Sequence, residues 1–349
     1  MFLPRPPGIE EIEAHIPRIS PVPAETVRPY WSVMVPTYNT DERYLRRTLQ
    51  SVLCQDPGPE QMQIEVVDGG STMHNPETVV EEVGRGRIDF YRLSANRGAS
   101  NTFNAAVNRS RGHWVHLLHG DDMVAPRFYE VIASAINAHP AAVMVVSGAT
   151  VIDEHDRVLL ELPRDDVAEC GILKDFADDQ GFRQMAWAAP AVVVRRPAYE
   201  LAGGYCTWFS HVLDMDMWLR IALQGDVAVV RHPYALCRKH SQSATASAIV
   251  SGDNIRERVL LTLLNHERLR SPGWAERARV WKRLVAQHAL EYAWAAEHLG
   301  STRGRLTQAS WVFRLTPGPQ TLWFLAKSWL KHCLSVSRRA PRSLGRPPF

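Results

Sequence analysis

Two adjacent carboxylates, Asp121 and Asp122, close the run Trp114-Val115-His116-Leu117-Leu118-His119-Gly120. The run reads as a short buried strand, and in an open α/β sheet ligands bind just beyond the carboxyl ends of strands. Two carboxylates are costly to bury without a partner. Their oxygens suit Mg²⁺ or Mn²⁺ shared with substrate phosphates. The same pair would also serve as a helix cap ahead of Pro126, so the other strand ends have to weigh in. Pro36, Tyr38 and Asn39 follow the strand-like 31–35, Asp68 follows 63–67, and Asn96 and Arg97 follow 88–93. A metal diphosphate at that edge would use a carboxylate for the metal and a cation for the remaining charge. Farther on, Asp214 opens an amphipathic segment whose helix dipole would keep it ionised, and Arg238 and His240 follow a strand-like stretch.

The elements that must carry these groups alternate. Strands at 31–35, 63–67, 88–93 and 114–118 are separated by helical spacing at 41–54, 78–83 and 102–110. This β-α-β order argues for a mostly parallel sheet flanked by helices, and right-handed crossovers gather the polar strand ends on one edge. Pro36 is expected to stop its ladder. No Gly-x-Gly-x-x-Gly follows the first strand, which disfavours a dinucleotide-dependent dehydrogenase. A helix at 127–138, a strand at 141–146, a hairpin within 150–162 and a short strand at 191–194 come next. Helices at 197–202 and 214–223 and strands at 227–230 and 234–237 complete the pattern, with a loop at 241–247. The expected domains are an N-terminal extension (1–29), a catalytic domain (30–250, its halves meeting near 125), and a helical C-terminal region (251–349). The tryptophans of that last region are read as core residues.

The 349 residues carry a net charge of +3, yet 301–349 holds nine Lys or Arg and no Asp or Glu. Five dispersed cysteines without Cys-x-x-Cys spacing argue against a disulfide framework or a zinc site and fit a reducing compartment. The first residues are too short and proline-rich for a signal peptide, and no apolar run is long enough to span a bilayer. The expected location is cytoplasmic. In 322–336, Leu322, Leu325, Trp329, Cys333 and Val336 recur at three- and four-residue steps, and Arg338, Arg339, Arg342 and Arg346 follow. Two readings stand: an amphipathic helix making peripheral contact with the inner face of a membrane, or a helix packed on the catalytic domain. The basic residues lack a nucleic-acid recognition module.

Six segments in this order resemble the family-2 glycosyltransferases of the GT-A fold: Val-Met-Val-Pro-Thr-Tyr-Asn (33–39), Glu-Val-Val-Asp-Gly-Gly-Ser (65–71), Asn-Arg-Gly (96–98), His-Leu-Leu-His-Gly-Asp-Asp (116–122), Asp-Met-Asp-Met-Trp-Leu-Arg (214–220) and Arg-Lys-His-Ser-Gln-Ser (238–243). The resemblance implies an α/β GT-A fold with a nucleotide-sugar donor and a Mn²⁺ or Mg²⁺ cofactor. It places Pro36 to Asn39 and Asp68 at the base, and Asp121 on the metal with Asp122 in support. Asp214 is the catalytic base, and Arg238 and His240 lie at the diphosphate, His240 as a further metal ligand. Three positions depart from the family pattern. Gly69 replaces an acid that contacts the base, so uridine is not implied. His119 replaces the first acid of Asp-x-Asp, and Leu213 the glutamate before Asp214. Asp216 is the substitute if Asp214 is not the base. Acceptor entry is expected over 183–211, with Trp187, Trp208 and His211 as binding surface and Asp216 beside them.

The chemistry these groups could do is single-displacement, inverting transfer of a sugar to a hydroxyl of a glycan or lipid-linked glycan, with one carboxylate taking the acceptor's proton. A sugar nucleotidyltransferase and a non-catalytic nucleotide-sugar-binding relative are the alternatives. The first lacks its glycine-rich basic loop after strand one. The second is argued against by Asp121, Asp214 and His240 occurring together.

Overall fold

The structure is a computed structural model that describes residues 8–165, 167–173, 187–269 and 274–339. The acceptor segment 183–186, Arg342 and Arg346 lie outside the described residues, as do the side chains of Val336, Arg338 and Arg339.

The chain divides into two compact units, Met1–His240 with Glu267–Leu269, and Ser241–His266 with Arg270–Phe349. The first unit opens with α1 (Ile9–Glu13), β1 (Trp31–Thr37), α2 (Glu42–Leu53), β2 (Met62–Asp68), α3 (Pro76–Gly84), β3 (Asp89–Arg92), α4 (Ala99–Arg109) and β4 (Trp114–Leu117). It continues with β5 (Met123–Val124), α5 (Phe128–Ala138), β6 (Ala142–Ile152), β7 (Val158–Leu162), β8 (Cys170–Ile172), β9 (Val192–Arg195), α6 (Arg196–Ala202), α7 (Leu213–Ala222) and β10 (Asp226–Arg238).

One sheet runs β3-β2-β1-β4-β9-β6-β10-β5, with β7 added on β6 and β8 on β10. The β3-β2-β1-β4 half is wholly parallel. Beyond it, β9 is antiparallel to both β4 and β6, and β6 and β10 are parallel to each other. The expected parallel character therefore belongs to the first half. Every residue of β1 and β2 is buried, as strands covered on both faces require. Helix α2 supplies part of that cover through Leu45, Leu49 and Val52, and Asp41 caps it by accepting from the Arg43 amide at 2.9 Å.

Three local expectations need correction. Pro36 does not stop β1: it pairs with Val67 of β2, and the strand runs on to Thr37. The pairing of β1 with β4 ends at Met34↔Leu117, so the donor that proline lacks falls beyond the last ladder pair on that side. The strand-like pieces 227–230 and 234–237 are one strand, β10, with register shifts around Pro233. The loop expected at 241–247 instead enters helix α8 (Ala244–Ser251), whose first turn is capped by the Ser243 hydroxyl accepting from the Ala246 amide at 3.2 Å. From residue 8 on, the N-terminal extension packs on this unit: Ile12 and Ile19 are buried and the Gly204 amide donates to the Pro17 carbonyl at 2.7 Å.

The second unit adds α9 (Asp253–Leu269, whose last turn belongs to the first unit), α10 (Trp274–His298), α11 (Thr302–Leu315) and α12 (Pro319–Arg339). Ile255, Val259, Trp281, Val285, Ala289, Trp311 and Leu315 form its core. Trp281 is thus the core tryptophan expected, whereas Trp294 is half exposed. Among the described residues no helix is long and apolar enough to cross a membrane.

His116 on β4 anchors the strand that leads to Asp121. Its Nε2–H donates to the Pro190 carbonyl at 3.0 Å, which leaves Nδ1 to accept from the Tyr129 hydroxyl at 3.1 Å. Full burial pushes its pKa from 6.5 down to about 4. The folded value lies below the unfolded one, so the unfolded chain takes up the proton first. Stability should fall as pH drops from about 6.5 towards 4. Urea unfolding at pH 7 and pH 4.5 should show wild type losing about 2 kcal/mol more than His116→Phe over that interval. An equal loss in both proteins would remove His116 as the cause.

Candidate active site

The carboxyl end of β4 carries the densest group of chemistry-bearing side chains in the first unit. His119, Asp121 and Asp122 place one ligand atom each within 4.8 Å of one another. The His119 Nδ1 lies 3.6 Å from an Asp122 carboxylate oxygen, and His240 Nε2 donates to Asp121 at 2.9 Å. Three side chains of one turn therefore face one another, and His240 reaches them from a distant stretch through Asp121.

The turn that presents them is held from several sides. The Leu118 amide donates to Met34 and the Gly120 amide to Pro36, so the chain stays beside β1 after the ladder ends. Gly120 is needed there, because a Cβ would meet the Thr37 hydroxyl at 3.0 Å. Thr48 on α2 sits below, its hydroxyl 2.9 Å from the Gly120 carbonyl and 2.7 Å from that of Asp122. The Arg238 amide donates to Asp122 at 2.8 Å, and the buried Arg238 guanidinium donates to the carbonyls of Asp121 and Asp153, both at 2.9 Å. It also pairs with Asp156 at 2.5 Å and lies 4.5 Å over the Tyr44 ring. Arg238, expected at the diphosphate, is instead turned into the fold as the positioning residue of the carboxylate turn.

The electrostatics of the cluster are those of a site short of positive charge. Burial, and then the neighbouring Asp121, raise the Asp122 carboxyl well above its ordinary value. Burial would raise Asp121 as well, but the hydrogen bond from His240 and the charges of His119 and His240 hold it below. Imidazole nitrogen with carboxylate oxygen is a donor set that could hold a divalent cation.

Asp214 stands in the first turn of α7 and is half-buried. Burial raises its carboxyl above the ordinary aspartate value, and the nearby His119 offsets this only in part. Among the described residues its side chain has no hydrogen-bond or ion-pair partner. Asp216, by contrast, is fully buried between Arg220 at 2.8 Å and Arg268 at 2.6 Å. Service as a proton acceptor would require it to give up both pairs.

The remaining predicted residues divide the same way. Tyr38 is exposed at the end of β1, and the exposed Arg97 precedes α4. Asn39, at φ 49°, accepts from the Thr72 and Met73 amides at 2.8 and 3.0 Å and so ties the loop after β2 to the end of β1. Asp68 is fully buried, with Arg92 at 2.7 Å and the Ser71 hydroxyl at 2.6 Å. Its carboxylate shapes that loop from within. Trp187 is buried against Trp218, ring centroids 5.7 Å apart, which makes it a packing residue. Trp208 is exposed, with its ring edge-on to His15 at 5.0 Å, and His211 is half-buried just ahead of α7.

Sequence reasoning missed Tyr44, Thr48 and Phe103. Tyr44 stacks near His240 with centroids 5.2 Å apart, and Phe103 stacks on His119 at 5.2 Å and meets Tyr205 edge-on. The available signal was the position of Tyr44 and Thr48, four residues apart on the buried face of α2.

Residues 32–170, two fifths of the chain, match Glycosyl transferase family 2, and the architecture is of the GT-A type. An uncharacterized glycosyltransferase of Methanocaldococcus jannaschii is 25% identical over 197 residues, covering 56% of this chain and 66% of the relative. The poly(ribitol-phosphate) beta-N-acetylglucosaminyltransferase TarS of Staphylococcus aureus is 27% identical over 117 residues, which is 33% of this chain and 20% of TarS. The chain therefore spans just under two thirds of the first relative and a fifth of the second. In fold it is similar to the crystal structure of S. aureus TarS 1-349 in complex with UDP, with a TM-score of 0.56, 16% identity, and coverage of 91% of this chain and 94% of that one.

Gly69 has a steric basis here. A Cβ at this position would lie 2.7 Å from the Thr102 hydroxyl, in a place closed on the other sides by Thr37 and Tyr38. An acid at 69 and Thr102 compete for one space. Gly69→Asp should lower stability by about 1–3 kcal/mol through overpacking, and adding Thr102→Ala should restore part of the loss. Unfolding curves in which Gly69→Asp matches wild type would show that Thr102 does not close this space.

Proposed function

We propose that the protein transfers a sugar from a nucleotide-diphosphate sugar to a hydroxyl of a glycan or glycolipid, by a single displacement with inversion. The observation that supports the reading is Asp214: a half-buried carboxyl in the first turn of α7, electrostatically close to His119 of the carboxylate turn and, among the described residues, without an arginine or lysine partner. Structural carboxylates in this unit, such as Asp68 and Asp216, are paired with arginine. Asp214 is left able to accept a proton.

Asp121 and Asp122, with His119 and His240, would hold Mn²⁺ or Mg²⁺, which when bound supplies positive charge to a diphosphate leaving group. Arg238 keeps the carboxylate turn rigid from beneath. Arg97, exposed at the sheet edge, is the arginine available to the donor's remaining charge. Phe103 fixes the His119 ring plane. Asp214 takes the acceptor hydroxyl's proton as that oxygen attacks. A raised pKa brings the base nearer neutrality, where it remains ionised yet accepts a proton more readily. One base acting in one step implies inversion at the anomeric carbon. The TarS name and its UDP complex support a nucleotide-sugar donor and a polyol or glycan acceptor, and Gly69 leaves the base unassigned.

Asp214→Asn should reduce turnover by about 10²–10⁴-fold while nucleotide-sugar affinity, read by calorimetry, changes little. Unchanged turnover would refute the base, and loss of donor binding would place Asp214 on the donor instead. Because its folded pKa is raised, the acid limb of the activity profile should lie above that of an ordinary aspartate. In a thermal-shift screen of nucleoside diphosphates, Mn²⁺ should deepen the rise in Tm, and Asp121→Asn should abolish the metal-dependent part. An equal Mn²⁺ response in Asp121→Asn would remove Asp121 as a ligand.

A further inference from the structure

Helix α12 departs from the usual orientation of a helix on a water-soluble surface. Its inward side carries polar groups: Thr302 Oγ1 lies 3.1 Å from His332 Nδ1 and 2.8 Å from Ser335 Oγ, and Arg305 Nε donates to the buried Ser328 hydroxyl at 3.3 Å. Its outward arc carries Leu322 (53% exposed), Trp323 (61%), Trp329 (58%) and Leu330 (54%). A surface helix of a globular protein buries its apolar stripe and leaves the polar one in water. Here the inward side mixes Ser328, His332 and Ser335 with Phe324 and Leu325, and large apolar side chains remain outside. The expected stripe of Leu322, Leu325, Trp329 and Cys333 is split, with Leu325 and Cys333 half-buried and the other two outside.

Single exposed apolar residues need no explanation, but a continuous arc of large ones marks an interaction surface. The charge around it narrows the partner. Lys327 borders the arc with its ammonium 3.5 Å from the Trp323 ring centroid, an apolar stem with a charged tip at the rim. Residues 301–349 hold nine Lys or Arg and no acid. Tryptophan and leucine on one face with lysine at its edge is the composition of a helix lying in a bilayer interface. A second copy of this chain would bring together two segments of the same net sign, whereas an anionic headgroup layer satisfies both the charge and the apolar arc. An apolar cleft of about 550 Å³, lined by Leu290, Val312, Trp323 and Phe324 among others, opens beside the start of the helix.

We propose that the Leu322, Trp323, Trp329 and Leu330 face of α12 docks on an anionic lipid bilayer, the helix lying in the interface plane. Docking does not require turnover, so it can hold or fail independently of the glycosyl-transfer reading.

The test is flotation of the full chain with phosphatidylcholine vesicles, with and without phosphatidylglycerol. Wild type should co-float with the anionic vesicles and less so at high salt. The variant Trp323→Ser/Trp329→Ser/Leu330→Ser should lose at least about tenfold in apparent affinity, since it removes most of the apolar area that the face would bury. An unchanged Tm in the variant would show that its fold is intact. In wild type alone, brominated lipid should quench tryptophan emission, which keeps the test open even if the variant misfolds. Absence of flotation and quenching overturns the proposal. So does equal flotation of a folded variant, or a wild-type dimer that the variant converts to monomer with no vesicle binding by either.

Discussion

Two carboxylates placed side by side at the end of a buried strand set the terms for the first unit. Like charges at this separation raise one another's proton affinity, and burial adds to the effect. The fold answers from three directions. His240 donates to Asp121, the Arg238 amide donates to Asp122, and the Arg238 guanidinium braces the carbonyl side of the turn. Arg238 is itself held by Asp156 and Tyr44. A chain of contacts therefore runs from the β6–β7 turn, through the last residue of β10, to the carboxylates after β4. Changing any link changes the spacing of the donors that a cation would use.

Much of this was legible in the sequence because it rests on local pattern. The strand ends, the alternation of elements and the start of α7 are short-range features, and they located Asp121, Asp214 and His240 at one edge. What was not legible depends on partner choice. Asp68, Asp214 and Asp216 look equivalent as residues, and only tertiary packing gives arginines to two of them and, among the described residues, none to the third. Arg238 follows the same logic in reverse: a cation near a phosphate-binding motif reads as a ligand, yet its burial commits it to carbonyls and Asp156. The Asp153–Asp156 region, which looks like a solvated acidic patch, serves as its anchor.

Fold-level errors had equally specific origins. Pro36 was tolerated inside β1 because its missing donor falls beyond the last ladder pair with β4, and the end of that ladder is also what frees His119 to Asp122. The serine- and alanine-rich stretch after His240 resembles a loop until Ser243 is recognised as a cap for α8. The orientation of α12 could not be read from periodicity, because a stripe shows that a helix has two faces and not which of them turns inward.

The N-terminal segment carries one more consequence. His15 meets Trp208 edge-on, and its carbonyl accepts from the Thr207 amide and, at 3.2 Å, from the Thr207 hydroxyl, across a sequence separation of 192 residues. That ties the segment around His15 to Thr207 and Trp208, ahead of α7. If acceptors enter there as proposed, related chains that share every strand-end motif but differ around residues 12–19 would present them with a differently shaped doorway.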